Sequence, residues 1–418
     1  MLIPIALRAA TRRSAVALIG GLALSSGGVA LCQTNPYYNP AKPHHTHDGF
    51  RNNYAPVVDK DLGAVLRWRW EAARDGLPRA PAQPTPVQAP DLTGIHANAV
   101  AGLRMRPAIT WIGHATTLVQ AGGLNVLTDP VFSERASPVQ LIGPQRAQPP
   151  GVALDELPAI DVVLISHDYY DHLDRNSVVA LNQRASGATL FLVPLGLRPW
   201  MQNQGVSNVL ELDWWDRIVL QRQADGRVVR LPDDAGQATP DAVEFHLTPV
   251  QHWSARGLSD RRRTLWGGWA VFGADFHWYY SGDTGYSRDF EDIAAHFSSR
   301  NPGGFDLALL PIGAYAPRWF MKEQHINPAE ALQIHKDLRA RRSVGVHWGT
   351  FNLTDEPLDQ PPIDLAAARR AQRVPEEDFF LLRIGETRIL PRRQAGPAPV
   401  HAANAAALER TAANTPLR

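Results

Sequence analysis

A chain of 418 residues can bury a sizeable core, as one large domain or as two ordinary ones. Apolar residues make up 44% and charged residues 20%, as in a globular protein, and a net charge of +1 gives no electrostatic ground for a nucleic-acid partner. The one cysteine, Cys32, excludes an intrachain disulfide, so disulfides say nothing about the compartment.

Residues 1–32 carry early arginines followed by an apolar stretch from Ala15 to Leu31, broken by Gly and Ser. That is the order of an export signal, and Arg12 and Arg13 directly before the stretch resemble a twin-arginine signal. A membrane anchor is the alternative, although the run is marginal in length for a bilayer. On the signal reading the protein is exported or membrane-associated on the periplasmic side; otherwise it is cytoplasmic. Cys32 closes the run as a candidate lipid-attachment site, but Leu31 before it is larger than such sites normally accept. A plain small apolar residue is the preferred reading there.

Residues 33–107 read as an arm and linker rather than a domain. HHTHD (44–48) gathers three histidines without an acid or cysteine at ligand spacing, so a loop is expected there rather than a metal site. LGAVLRWRWEAARDG (62–76) has helical periodicity, with Leu62, Val65, Leu66 and Trp70 on one side. PRAPAQPTPVQAP (78–90) is expected to be an extended, wrapping arm.

Between 108 and 390 short apolar runs recur, separated by turns and helices. DRNSVVALNQR (174–184) and NPAEALQIHKDLRARR (327–342) read as helices, the second with Asn327 as N-cap, Pro328 at the first helical position and Glu330 in the first turn. Hairpins come early and strand–helix–strand units follow, which implies sheets covered by helices in an α/β layered domain. QRQADGRVVRLPDDAGQATPDA (221–242) reads as a polar surface excursion, and the Ala-, Arg- and Pro-rich tail 391–418 as disordered. Trp214 and Trp215 read as packing.

The chemistry concentrates at strand ends. IDVVLIS (160–166) runs into His167, Asp171 and His172; VEFHLTPV (243–250) into Gln251 and His252; WYYSGD (278–283) ends on Asp283; SVGVHWG (343–349) carries His347. Loops at strand ends are where scaffolds display functional groups, and imidazole with carboxylate suits a borderline metal such as zinc. One such histidine alone is more often a satisfied core residue. Five ligand-type residues from four strand ends, with Asp171 as a sixth, favour a metal centre.

The spacing His167–x–x–x–Asp171–His172, followed by His252, Asp283 and His347, resembles the metal constellation of the metallo-β-lactamase superfamily. Longer strings, among them TWIGHATTLVQ, LTDPVFSERASPVQLIGP, YSGDTGY, PIGAYAPRWFMKEQHINPAEALQIHKD and VHWGTF, resemble the N-acylphosphatidylethanolamine-hydrolysing phospholipase D family over residues 108–365. The resemblance implies an αββα sandwich with the site along one edge of its two sheets. It implies one zinc held by His167, residue 169, His252 and a bridging Asp283, and a second held by Asp171, His172, Asp283 and His347. The family pattern has histidine at 169, where this chain has Tyr169, a poor zinc ligand while protonated, with a reference pKa near ~10. Three outcomes are open: a weak first site through His167, His252, Asp283 and water; a contribution from Asp168 or a Tyr169 phenolate; or the second site alone. A filled second site and a weak first one is the favoured expectation, with one or two zinc ions per chain.

The chemistry so implied is hydrolysis of a glycerophospholipid phosphodiester. A bound divalent ion lowers the pKa of water to ~7, and the hydroxide attacks phosphorus in line, releasing N-acylethanolamine and leaving phosphatidic acid. Asp171 is the candidate for orienting that water or receiving its proton. His114 and Asp129 are expected to support the ligands. Gln324 and His325 are expected to reach the amide or phosphate of the lipid, and Arg256 to pair with phosphate. Trp319, Phe320 and Met321, between Arg318 and Lys322, suit insertion into a phospholipid surface, with a buried lid as the alternative. His335 is expected beside the ligands or on the helix surface. A homodimer is a further implication of the resemblance. The competing functions are a same-fold hydrolase of a lactone or small phosphodiester, and a lipid- or metal-binding protein without turnover.

Overall fold

The computed structural model describes residues 34–55, 60–232, 239, 241–257 and 259–393. The export-signal and Cys32 expectations, and the tail beyond 393, lie outside these residues.

Two mixed sheets face each other. The first has seven strands in the spatial order Thr387–Ile389, Ala108–Gly113, Thr116–Ala121, Leu124–Thr128, Val162–Leu164, Leu190–Pro194 and Val209–Leu212. The second has eight, in the order Val228–Leu231, Arg217–Arg222, Ala242–Thr248, Gly268–Phe272, His277–Tyr280, Leu307–Pro311, Ser343–Val346 and Phe379–Phe380. In each sheet the antiparallel hairpins lie on one side and the parallel strands on the other.

Why the central strands are apolar throughout follows from burial on both faces. Successive residues point to opposite sides of a sheet, and here they enter different cores. Ile109, Trp111, Val119, Val126, Val162 and Leu164 face the space between the sheets, with Phe245, Trp269, Trp278 and Tyr280 opposite. Their neighbours Ile112, Leu118, Leu127, Val163 and Ile165 face outward, under the helices, with Val178, Leu181 and Phe191. Each large side chain so buried contributes on the order of 2 kcal/mol. The result is an αββα sandwich.

The helix expected at 174–184 spans Arg175–Arg184, with the Asp174 carboxylate accepting from the amides of Asn176 and Ser177. The helix expected at 327–342 is shorter, Pro328–Asp337, and opens with a reciprocal capping box between Asn327 and Glu330. The helix Leu62–Asp75 forms where periodicity placed it, but Leu62, Leu66 and Trp70 are 48%, 54% and 62% exposed. Ala72 is buried, and Trp68 turns inward, stacking on Phe320 and donating to Asp355. Part of the expected surface excursion at 221–242 is an edge hairpin, Arg217–Arg222 with Val228–Leu231, closed around Gly226 at φ +86°. The proline-rich arm crosses the open end of the sandwich. Thr85 donates to Gly349 O, and Gln88 N to Ile384 O. Among the described residues no helix is long and apolar enough to cross a membrane.

Candidate metal centre

The strand Val162–Leu164 leads into Ser166, where the chain turns across the end of the sandwich. Asp129, at the end of the neighbouring strand, organises this turn. Its carboxylate accepts from Ser166 N at 2.7 Å and from the Ser166 and Tyr280 hydroxyls, and it takes His172 Nδ1–H at 2.6 Å. Ser166 donates to Asp129, so its hydroxyl accepts from His167 Nδ1–H at 2.9 Å. His252 Nδ1–H donates to Gln324 O at 3.1 Å. These three bonds fix one tautomer in each histidine and turn Nε2 of His167, His172 and His252 toward a common space.

His172, Asp283 and His347, expected to converge, do so. His172 Nε2 lies 3.1 Å from His347 Nε2 and 3.2 Å from Asp283 Oδ2, and His347 Nε2 lies 3.2 Å from Asp283 Oδ1. Asp171 Oδ2 is 3.5 Å from His172 Nε2 and 3.4 Å from His347 Nε2. Ligands of a tetrahedral zinc with ordinary bond lengths stand ~3.4 Å apart, so this group has the spacing of a coordination shell. His114 completes it from behind, with Nε2 3.0 Å from Asp171 Oδ2. On the other side, ligand atoms of His167, His252 and Asp283 all lie within 4.8 Å of one another. Asp283 is common to both halves.

Satisfaction of the buried polar atoms tests whether a cation fits. His167 Nε2, His252 Nε2, both Asp283 oxygens and His347 Nδ1 are buried without a hydrogen-bond partner. Each such atom costs about 1–3 kcal/mol when left unmatched. One or two cations between the carboxylates and imidazoles would match most of them together, so the residues fit a metal. Three residues of the site also sit in the left-handed region, His114 at φ +54°, Asp129 at +31° and His347 at +61°. Such strain persists only where surrounding structure enforces it, and it gathers at functional sites.

Electrostatics divides the histidines. Burial opposes charge on His347, but the Asp283 charge and the nearness of the Asp171 and Asp283 carboxylates to its Nε2, at 3.4 and 3.2 Å, more than offset it, and its pKa rises to about 9. His172 is pushed up in the same way, with burial outweighed by Asp283 and Asp171. For His114 and His252 burial outweighs the raising effects of Asp171 and Asp283, lowers them to about 3 and about 4 and keeps them neutral. A proton thus stands where a cation would, and metal binding must displace it.

The structure bears on one of the outcomes at Tyr169, a contribution from Asp168 or a phenolate. Its ring packs 4.9 Å from His167 and 5.5 Å from His252, and burial, with the charges of Asp168 and Asp171, pushes the phenol well above its ordinary value. A phenolate ligand is therefore disfavoured. Asp168 is turned away: its carboxylate accepts from Ala255 N at 2.9 Å and Thr264 Oγ1 at 3.0 Å.

Other expected contacts are placed differently. Arg256, expected at phosphate, donates Nη1 to the carbonyls of Asp168 and Leu173 at 2.6 and 2.8 Å and lies over Tyr170 and Trp200. It thereby braces the ligand loop from outside. The Gln324 side chain accepts from Lys60 Nζ at 2.9 Å, with Lys60 lowered to about 8 by burial. Of Trp319, Phe320 and Met321 only Trp319 is exposed, at 46%; the other two are buried. His335 is neither helix surface nor beside the ligands; it is buried, bonded to Ser343 Oγ at 2.8 Å. Trp214 is core, and Trp215 packs against it.

Sequence reasoning missed Ser166 and Tyr280, although each adjoins a ligand string, in LISH and WYYSGD. It also missed the acid partner of HHTHD. Asp213 reaches His44 Nε2 at 2.6 Å, His45 Nε2 at 2.9 Å and Lys42 Nζ at 2.5 Å. Burial would raise its carboxyl, but bonds from His44 and Lys42 hold it well below the carboxylate range. With Lys42 already on that carboxylate, the cluster anchors the arm to the sandwich.

Comparison with known proteins agrees with this geometry. Residues 124–348 match a family profile described as a beta-lactamase superfamily domain. N-acyl-phosphatidylethanolamine-hydrolyzing phospholipase D 1 of Caenorhabditis elegans is 42% identical over 247 residues, 58% of this chain and 64% of the worm protein. This chain therefore spans less than two thirds of that relative's length. An uncharacterized protein of Mycobacterium tuberculosis is 40% identical over 312 residues, 73% of each chain. Among solved structures, the isothiocyanate hydrolase from Delia radicum gut bacteria shares the fold, with a TM-score of 0.50 at 19% identity, over 68% of this chain and 99% of that one.

Proposed function

We infer, from a chain that belongs to the metallo-β-lactamase superfamily and within it to the N-acylphosphatidylethanolamine-hydrolysing phospholipase D family, that this metal-dependent hydrolase is a zinc phosphodiesterase. Its proposed reaction converts N-acylphosphatidylethanolamine to N-acylethanolamine and phosphatidic acid. One observation carries the reading: Asp171, His172, Asp283 and His347 meet at coordination spacing beside His167 and His252.

A divalent ion held there supplies Lewis acidity and lowers the pKa of water to ~7. The chain's own groups do the rest. Asp129 locks the ring of His172 and, through Ser166, that of His167, so the ligands are preorganised. Asp171 is the ligand-type carboxylate with a solvent-exposed edge, 13% against 1% for Asp283. It orients the incoming water and takes its proton. Gln324, whose side chain accepts from Lys60, would meet the amide or phosphate once Lys60 yields.

A lipid substrate is favoured over a lactone or a small phosphodiester by the surface beside the mouth. Leu62, Leu66 and Trp70 form an exposed apolar stripe, and Trp319 lies next to it with the Arg67 guanidinium 4.5 Å above its ring. Apolar side chains flanked by cations suit a phospholipid interface. The arginine-led apolar N-terminus supports an exported or membrane-associated enzyme.

The test is elemental analysis of the purified protein combined with a substrate panel in vesicles. At least one zinc per chain and release of N-acylethanolamine are expected. Metal with hydrolysis of lactones only would favour the alternative enzyme, and metal without any turnover the binding protein.

A further inference from the structure

We propose that Lys60 is a specificity-determining residue, a cation that exchanges its bond to Gln324 for the anionic phosphodiester of the lipid substrate. This deepens the proposed function and rests on it for the identity of the substrate.

Lys60 stands between the apolar surface and the metal centre. On one side its Nζ lies 4.1 Å from the centroid of the Phe320 ring, which stacks on Trp68 at 4.7 Å and meets the exposed Trp319 at 5.4 Å. On the other side it donates to Gln324 Oε1 at 2.9 Å. Gln324 O accepts from His252 Nδ1 at 3.1 Å, and Nδ1 of the next residue, His325, is 3.6 Å from Asp283 Oδ2. A phospholipid that keeps its chains at Trp319 and brings its phosphorus to the metal therefore carries its phosphodiester past this ammonium.

The ammonium is charged and uncommitted. Burial lowers its pKa only to about 8, which leaves it mostly protonated at pH 7. A charge drawn out of water is ordinarily paired with an opposite one. Half-buried Lys60 forms no ion pair among the described residues; its partners are one neutral amide and one ring face. Asp61 beside it caps a helix by accepting from Ala64 N at 2.7 Å, and Glu323 acts on Lys60 through its charge alone. The two arginines near the cleft are spent, Arg256 on carbonyls and Arg318 on Glu330. An anionic phosphate oxygen is a stronger acceptor for an ammonium than a neutral amide oxygen. The exchange thus favours the substrate, and it frees Gln324 Oε1 to accept from the amide N–H of the N-acyl group. A neutral lactone offers Lys60 no such partner.

The experiment uses the zinc-loaded protein and a soluble short-chain N-acylphosphatidylethanolamine, with its neutral methyl phosphotriester as the uncharged control. Lys60→Gln should raise KM for the diester about tenfold or more, the scale of one hydrogen bond to a charged group, with kcat and zinc content near native. Lys60→Arg should recover most of the loss. Calorimetric binding of the phosphotriester should be the same for the native protein and Lys60→Gln. An unchanged KM in Lys60→Gln would overturn the proposal. So would an equal loss of affinity for diester and triester, or a fall in zinc content, since either marks a purely structural role. A native protein that does not hydrolyse the diester loses the substrate reaction, and calorimetric binding of the same lipid then decides this inference. Weaker binding by Lys60→Gln keeps it; equal binding, or none by the native protein, overturns it.

Discussion

Chelated protein should owe part of its stability to a proton trapped on His347, and that part should vanish as the pH rises. The ordinary imidazole value is 6.5, and in the folded protein Asp283 and Asp171 raise it to about 9. A group whose pKa is raised by folding stabilises fully below its unfolded value, and this stabilisation is lost as pH climbs through the folded one. The gap corresponds to roughly 3 kcal/mol at low pH, about half of which disappears between pH 7 and 8.5. Because His347 is only 1% exposed in its side chain, solvent screening removes little of this. Other groups titrate nearby: Lys60, lowered to about 8, acts in the opposite direction, and the neutral buried histidines act below pH 7. The measurement is therefore a difference. Urea unfolding of the chelated native protein and of chelated His347→Gln is followed at pH 7 and 8.5, and the native advantage should shrink. With saturating zinc the native trend should reverse, since the metal replaces the proton and binds more tightly as the proton becomes easier to remove. A native advantage that stays constant or grows between pH 7 and 8.5 would refute the trapped proton and the convergence of carboxylates that holds it.

Three further outcomes are expected. Asp129→Asn should weaken zinc by about 10–100-fold in chelator competition, because His172, Ser166 and Tyr280 lose a shared acceptor; unchanged affinity would mean that the imidazoles hold themselves. Arg256→Ala should lower unfolding free energy by roughly 1–3 kcal/mol, since the carbonyls of Asp168 and Leu173 lose their donor. A rise in KM at unchanged stability would instead return Arg256 to the substrate. Replacing Leu62, Leu66 and Trp70 together by serine should shift stability little, at roughly 0.5 kcal/mol or less per exposed site. The same variant should cut co-sedimentation with anionic vesicles several-fold, and sedimentation equal to that of the native protein would remove the stripe from the interface.

Legibility in the sequence follows the range of the interactions. The strands that frame the centre were readable because each is an apolar run ending in a polar ligand, and a residue's position at a strand end depends only on its immediate neighbours. The edge strand Val228–Leu231 escaped because it pairs on one side only and buries none of its side chains fully, so its short VVRL run stands among charged and turn residues without a core signature. The exposed side of the helix Leu62–Asp75 was hidden for a related reason. Periodicity locates a stripe but does not say whether protein or another apolar phase covers it, and here Trp68, off the stripe, makes the protein contact.

Partners far apart in the chain set the other limit. HHTHD lacks a nearby acid, yet Asp213, 169 residues from His44, supplies one. Arg256 is chemically suited to phosphate, and only its two carbonyl acceptors in the 168–173 turn show what it holds. Position 169 joins both limits. The tyrosine is visible as a lost ligand from local spacing alone. What surrounds that position cannot be found that way, because the loop 323–326 beside it is placed by bonds to Gln251, His252 and Thr284, which lie on other strands' ends.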